Sequence, residues 1–227
     1  MMLQIKVTDL KKSYLNGKVQ TPVLRGLNFS IDKGEFVSLV GPSGSGKTTL
    51  LYVLGGLETY QEGSVKVFDK ELKDYTSQEK ALLRSKKIGF VFQFYNLIPN
   101  LTVYENIMLA AVLGNQSSKE DIYKILEIVG LNGYEDYYPN QLSGGMQQRV
   151  AIARCLINEP EIIFADEPTG NLDYANGKLI MELFSKLNKD FQKTILMVTH
   201  NEETTLYATR VIHMLDGKVV ADERKAQ

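Results

Sequence analysis

The chain opens on a period-two pattern in which Leu3, Ile5 and Val7 alternate with polar residues, as in a strand with one buried face. The runs VLRGLNFSI and GEFVSLVG read as two more strands, with Gly and Asn marking turns between the three. EFVSLV passes straight into GPSGSGKTTLLYVL, so a buried strand, a glycine-rich loop and a helix stand in that order. GSVKVF and KIGFVF are further strands, with helical TSQEKALLRSK between them. From Phe94 the spacing becomes helical. Thr102 and Glu105 form a capping-box signature at the head of TVYENIMLAAVL. Ser118 opens SKEDIYKILEIVG, whose Ile122, Ile125, Leu126 and Val129 share one face before Gly130 ends it. Residues 94 to about 157 are therefore expected to form a helical insert. EIIFAD, NGKLIMELFSKLNK and KTILMVTH then restore alternation of strand and helix, which predicts an α/β fold with a mainly parallel sheet covered on both faces. The final runs flank Asp216-Gly217 and read as a hairpin.

Composition narrows the classes this pattern can serve. Over 227 residues, 44% hydrophobic and 23% charged content is ordinary for a globular protein, so the chain is expected to fold as one unit, residues 1–227, able to bury a substantial core. A formal net charge of -1 gives no basic footprint, which argues against nucleic acid as a direct partner. The longest apolar run, IMLAAVLG, is far short of a membrane span, so direct insertion is not expected. One cysteine, Cys155, permits no internal disulfide, and the opening residues lack the features of a secretory leader, so a reducing compartment is expected. Cys155, flanked by apolar residues, reads as a small core residue, and His213 as structural.

Candidate chemistry begins at Gly41, Pro42, Ser43, Gly44, Ser45, Gly46, Lys47 and Thr48, which fit the phosphate-loop pattern G-x-x-x-x-G-K-[ST] and run on into Thr49. The glycines let backbone N–H groups wrap a phosphate, Lys47 supplies charge, and the Thr48 hydroxyl suits magnesium. IIFADE ends a strand on Asp166 and Glu167, one acid suited to face a metal and the other to orient or deprotonate a water. Gln93 and His200 stand at the ends of two other strand candidates, where ligands of such sheets gather. A second helix start follows in QLSGGMQQRVAIAR, where Ser143, Gly144 and Gly145 precede an apolar face of Val150, Ile152, Ala153 and Leu156. Its unpaired N–H groups also suit a phosphate.

Taken in order, GPSGSGKTT, Gln93, LSGGMQQR, IIFADEP, GNLD and His200 resemble the nucleotide-binding subunit of an ATP-binding cassette (ABC) transporter over essentially the whole chain. The resemblance implies a P-loop NTPase fold: a RecA-like core, an N-terminal antiparallel β subdomain and an inserted α-helical subdomain. It implies ATP and Mg2+ as ligands, with two ATP molecules sandwiched between two copies of the chain. The Ser143 segment of one copy would close over the nucleotide held by the other. Carried over by motif, Lys47 and the loop hold phosphates, Thr48, Gln93 and Asp166 surround magnesium, Glu167 is the general base and His200 contacts the γ-phosphate. Asp173 of GNLD would bridge the copies, and Tyr14 would stack on adenine. An integral membrane permease would be the partner, which places the chain in the cytoplasm at the inner face of the membrane. Tyr95, Leu97 and Ile98 are expected either to form an apolar socket for a helix of that partner or to be covered by the helical insert itself. ADEPTGNLD with LSGGMQQRVAIAR looks most like the branch of lipoprotein-releasing, macrolide-efflux and peptide-antibiotic exporters. An ATPase of this kind working on a soluble or mechanical, non-transport task is the alternative. Two residues depart from the usual pattern: Met146, where Gln is common, and Cys155, where Ala is frequent.

Overall fold

The computed structural model describes residues 2–114 and 119–225. Strands β1 (Leu3–Asn16) and β2 (Val19–Asp32) form a long antiparallel hairpin. Strand β4 (Glu62–Val67) joins β1, and β5 (Lys70–Glu71) joins β4. The second sheet runs β10 (Lys218–Arg224), β9 (Arg210–Leu215), β3 (Phe36–Val40), β8 (Thr194–Thr199), β7 (Ile162–Asp166), β6 (Ile88–Phe92). Every pairing from β9 to β6 is parallel, and β10 alone is antiparallel.

Both faces of the central strands are buried, which accounts for their unbroken apolar runs. Ile163, Ala165, Ile195 and Met197 face a core shared with α3 (Val103–Leu113), α4 (Lys119–Ile128), α5 (Gly144–Leu156) and α6 (Tyr174–Lys189). Their neighbours Ile162, Phe164, Leu196 and Val198 face the opposite core, filled by α1 (Lys47–Leu54) and the antiparallel sheet. The period of two thus sorts alternate residues of one strand into two cores. Helix α2 (Ser77–Lys86) precedes β6.

The opening differs from the three short strands expected. Gly26 and Asn28 do not turn the chain but lie inside β2, where the register with β1 shifts between Val7 and Leu10. Asp9 and Gly26 both take positive φ, 45° and 85°. The Asn28 amide satisfies the displaced backbone, accepting from Asp9 N at 2.9 Å and donating to Gly26 O at 3.2 Å. A turn-forming residue pair here builds a bulge, because the amide replaces the ladder bonds lost at the kink.

The region 94–157 is helical as expected, and Thr102 and Glu105 form the capping box at the head of α3. Ser118 lies outside the described residues. Asp216 and Gly217, with φ of 47° and 76°, connect Leu215 to Lys218 in the terminal hairpin, the sign of φ that a two-residue turn of this kind needs. Among the described residues, no helix is long and apolar enough to cross a membrane.

Candidate functional site

The carboxyl ends of four neighbouring parallel strands carry the site. The glycine-rich loop follows β3, His200 follows β8, Asp166 ends β7 with Glu167 next, and Gln93 follows β6. Parallel pairing brings these ends to one edge of the sheet, where backbone groups and helix starts leave room for a ligand.

The loop is shaped by what its glycines exclude. A Cβ on Gly41 would fall 2.1 Å from Met214 O, and Gly46 takes a φ of 95°. Gly44, with φ 81°, faces open space, so backbone lies at the cradle wall without side-chain cover. The Lys47 ammonium donates to Gly41 O at 2.7 Å and Pro42 O at 2.9 Å. Burial pushes it below its ordinary value, against the pull of Glu167 and Asp166. Ser45 is 2% exposed, and its hydroxyl finds no hydrogen-bond partner among the described residues. Pro42 and Ser43 are exposed, and Thr49 is half-buried on the first turn of α1.

Thr48 donates from Oγ1 to Asp166 Oδ1 at 3.0 Å. Burial raises the Asp166 carboxyl above its usual range, the Thr48 bond opposes this, and Glu167 adds to it. Burial, followed by the charge of the neighbouring Asp166, pushes the Tyr52 hydroxyl above its ordinary value. A hydroxyl and a carboxylate are hard oxygen donors, the chemistry of a magnesium site that takes one or two protein ligands plus substrate oxygens. Glu167 sits in the left-handed region with φ 49°, its N–H held by Val198 O at 3.0 Å. Such strain in a non-glycine residue persists only where its surroundings fix it. It aims the carboxylate at His200, whose Nδ1 is 2.8 Å from Glu167 Oε2. Gln93 exchanges two bonds with Asn171: Nε2 to Oδ1 at 3.1 Å, and Asn171 Nδ2 to Gln93 O at 3.0 Å.

Ser143 caps α5 by accepting from Met146 N at 3.3 Å. Gly144 and Gly145 have no room for a side chain: their Cβ atoms would lie 2.8 Å from Tyr95 Oη and 2.3 Å from Asn176 Oδ1. Met146 packs against the apolar core, which uses its side chain where an amide would need partners. Asp173 caps α6 and accepts from the Asn176 backbone and side chain, both at 2.8 Å; these bonds hold its carboxyl below the ordinary range. Tyr14 is 40% exposed, with the Lys12 ammonium 4.5 Å from its ring centre. Cys155 is buried, and burial pushes its thiol up to about 12.

Of the two expectations for Tyr95, Leu97 and Ile98, cover rather than an open socket holds for the first two, which are half-buried. The Tyr95 hydroxyl is directed to Gly144, Leu97 packs on the interior, and only Ile98 is open, at 39% exposure. A groove of about 550 Å³ lies beside β6, lined by Leu82, Phe90, Phe92 and Leu113 together with Arg84, Lys86 and Arg154. Arg154 also donates to Asn96 O at 2.6 Å and Tyr95 O at 3.0 Å, securing two consecutive residues of positive φ. Sequence reasoning missed Arg154, Tyr52, Gln148 and Asn171. Tyr52 stands four residues after Thr48, on the same face of α1. Gln148 interrupts the buried face of α5, and its Nε2 donates to Pro168 O at 2.8 Å.

The chain is 44% identical over 219 residues to the lipoprotein-releasing system ATP-binding protein LolD of Cytophaga hutchinsonii, covering 95% of this chain and 98% of that protein. It is 42% identical over 220 residues to the macrolide export ATP-binding/permease protein MacB of Syntrophobacter fumaroxidans, of which it spans only 31%. A dimeric, post-hydrolysis ATP-binding cassette bound to ADP and Pi superposes with a TM-score of 0.90 at 40% identity, covering 98% of this chain and 99% of that one. The sequence profile of the ABC transporter family matches residues 24–170, and with these likenesses and the order of groups along the sheet edge the chain belongs to that family.

Proposed function

We propose that this chain binds and hydrolyses ATP as the ATP-binding part of an ABC transporter, acting over its whole length as one unit. The observation that carries the reading is the convergence of Thr48, Asp166, Glu167 and His200 at adjoining strand ends, with Thr48 3.0 Å from Asp166 and His200 2.8 Å from Glu167. The phosphates lie in the loop from Gly41 to Thr49, where Lys47 exchanges its loop carbonyls for phosphate oxygens. Thr48, Asp166 and Gln93 hold Mg2+, which supplies charge neutralisation to the phosphates when bound. Glu167 accepts the proton of the attacking water, and His200 holds that carboxylate in place and meets the terminal phosphate. ADP and phosphate are the products.

A second copy completes the site. Ser143, Gly144 and Gly145 at the start of α5 present N–H groups to the nucleotide of the other copy, and Asp173 lies at the same junction. ATP draws the copies together because it contacts both only when they are closed. The groove at Phe90 and Phe92 receives an apolar helix of an integral membrane partner, next to Gln93, so that closure drives movement in that partner. The chain then works peripherally at the inner face of the cell membrane. The LolD and MacB likenesses support extrusion or extraction of a lipophilic, lipoprotein or antibiotic-like substrate. The test is Mg2+-dependent ATP turnover by the purified protein, with mild crosslinking in native membranes. Turnover with a co-purifying membrane protein supports the reading; turnover without any membrane partner removes the transport role, and no turnover removes the enzyme.

A further inference from the structure

The amide of Gln93 has two ends, and only its oxygen can ligate a cation. The orientation of that amide is fixed by Asn171. Asn171 Nδ2 donates to the Gln93 backbone carbonyl at 3.0 Å, so the atom Asn171 turns to the Gln93 side chain is its oxygen, Oδ1, which can only accept. Gln93 must therefore offer Nε2, and it does, at 3.1 Å. Oε1 takes no hydrogen bond from the described residues and is left for a ligand. Gly170 makes the seat: a Cβ there would lie 2.8 Å from Nε2 and 3.1 Å from Cδ of Gln93. The seat is tied to the proposed base, because Gly170 N donates to Glu167 O at 3.0 Å and Leu172 N to Thr169 O at 3.1 Å. Below it, Gln148 spans the same gap, donating to Pro168 O at 2.8 Å and Phe92 O at 3.4 Å.

We infer that Asn171, seated with Gly170, is a positioning residue that holds the Gln93 amide with Oε1 presented to a divalent cation and couples that amide to the loop carrying Glu167. This rests on the reading of Gln93 as a cation ligand given above. Loss of a group that orients a metal ligand through hydrogen bonds typically costs about 10–100-fold in metal affinity or activity. Asn171→Leu removes both bonds. Asn171→Asp keeps the acceptor for Nε2, and Gly170→Ala presses on Nε2 while leaving Asn171 in place.

The experiment is titration of Mn2+ into the full-length protein with a non-hydrolysable ATP analogue, read by electron paramagnetic resonance, alongside kcat and KM for ATP and thermal unfolding to confirm folding. Asn171→Leu and Gly170→Ala are expected to weaken Mn2+ about tenfold and to lower kcat with KM for ATP little changed, with Asn171→Asp recovering most of the affinity. Gln93→Ala is expected to weaken Mn2+ at least as much, and adding Asn171→Leu to it to cost nothing further. Unchanged Mn2+ affinity in Asn171→Leu and Gly170→Ala while Gln93→Ala is weakened overturns the positioning role alone, as does additivity in the double variant. Unchanged affinity in Gln93→Ala itself overturns the cation-ligand reading and this inference with it.

Discussion

His200 Nδ1 lies 2.8 Å from Oε2 of Glu167, joining the residue after β8 to the residue after β7. Glu167 is largely covered, with 18% of its side chain exposed, whereas 64% of the His200 side chain is open. A carboxylate only accepts, so the contact is favourable when Nδ1 carries a proton. The contact involves one oxygen of the carboxylate and leaves the other for the base role proposed above.

Glu167→Gln keeps the shape of that side chain and removes its basicity. Nucleotide binding is expected to persist while turnover falls by about a hundredfold or more, and the protein should accumulate as an ATP-bound dimer. Phosphate release and size-exclusion chromatography with Mg2+ and ATP check both parts. Wild-type turnover in this variant would remove Glu167 as the base.

The parallel core was legible in the sequence because strands buried on both faces leave unbroken apolar runs such as IIFA and TILMV. The phosphate loop was legible because its glycines and Lys47 stand at fixed spacing. The bulge at Asp9 and Gly26 was not, since Gly and Asn signal a positive φ or a local amide bond without saying whether the chain reverses. Asn171 and Arg154 stayed hidden for a related reason. Each acts on the backbone of a residue far away in sequence, Gln93 in one case and Tyr95 and Asn96 in the other. Nothing in their local pattern points there. Side-chain type also did not reveal that Leu97 packs inward while Ile98 stays exposed.

Ser143 tests the role of the second helix start. Replacing it with Arg removes the cap on Met146 N, at a cost of about 1 kcal/mol, and sets a cation against the positive helix end. Ser143→Arg is expected to abolish turnover while a single copy still binds ATP within about threefold of the parent, since the parent's own phosphate loop is untouched. Equilibrium binding with a fluorescent ATP analogue measures this. Lost binding by the isolated chain would place Ser143 at its own nucleotide.

Arg210 ties three elements. It donates to Asp222 at 2.7 and 2.6 Å, to Glu35 at 3.1 Å and to Ser30 O at 2.7 Å. The hydrogen bonds from Arg210 hold the Asp222 carboxyl below its ordinary value. The stability this provides is therefore fully present above the unfolded carboxylate value of about 4 and is lost as pH falls through the lower folded value. Arg210→Met should cost about 2 kcal/mol near neutral pH, allowing for the solvent that reaches Asp222. The gap to the parent should narrow steadily below about pH 4. Urea unfolding of both proteins at neutral and acid pH gives the gap directly, and a gap that does not narrow would exclude Asp222 as its origin.

Cys155 and Gly89 share one small space where α5 crosses β6. A Cβ on Gly89 would lie 2.1 Å from Cys155 Sγ, against 3.2 Å from Pro160 Cγ and 3.3 Å from Cys155 O, so the sulfur is the main obstacle. Overpacking of this kind typically costs about 1–3 kcal/mol. Gly89→Ala is accordingly expected to lower the unfolding temperature. Cys155→Ala removes the sulfur and should restore most of the loss, so the double variant unfolds above Gly89→Ala alone. Cys155→Ala by itself leaves a small void and should cost about 1 kcal/mol. Calorimetry on the four proteins gives the coupling. Additive losses would show that the backbone of α5, and not the sulfur, sets the limit. Buried, with its thiol pushed up by that burial, Cys155 should also resist maleimide in the native parent at about pH 8 and react promptly once denaturant opens the core.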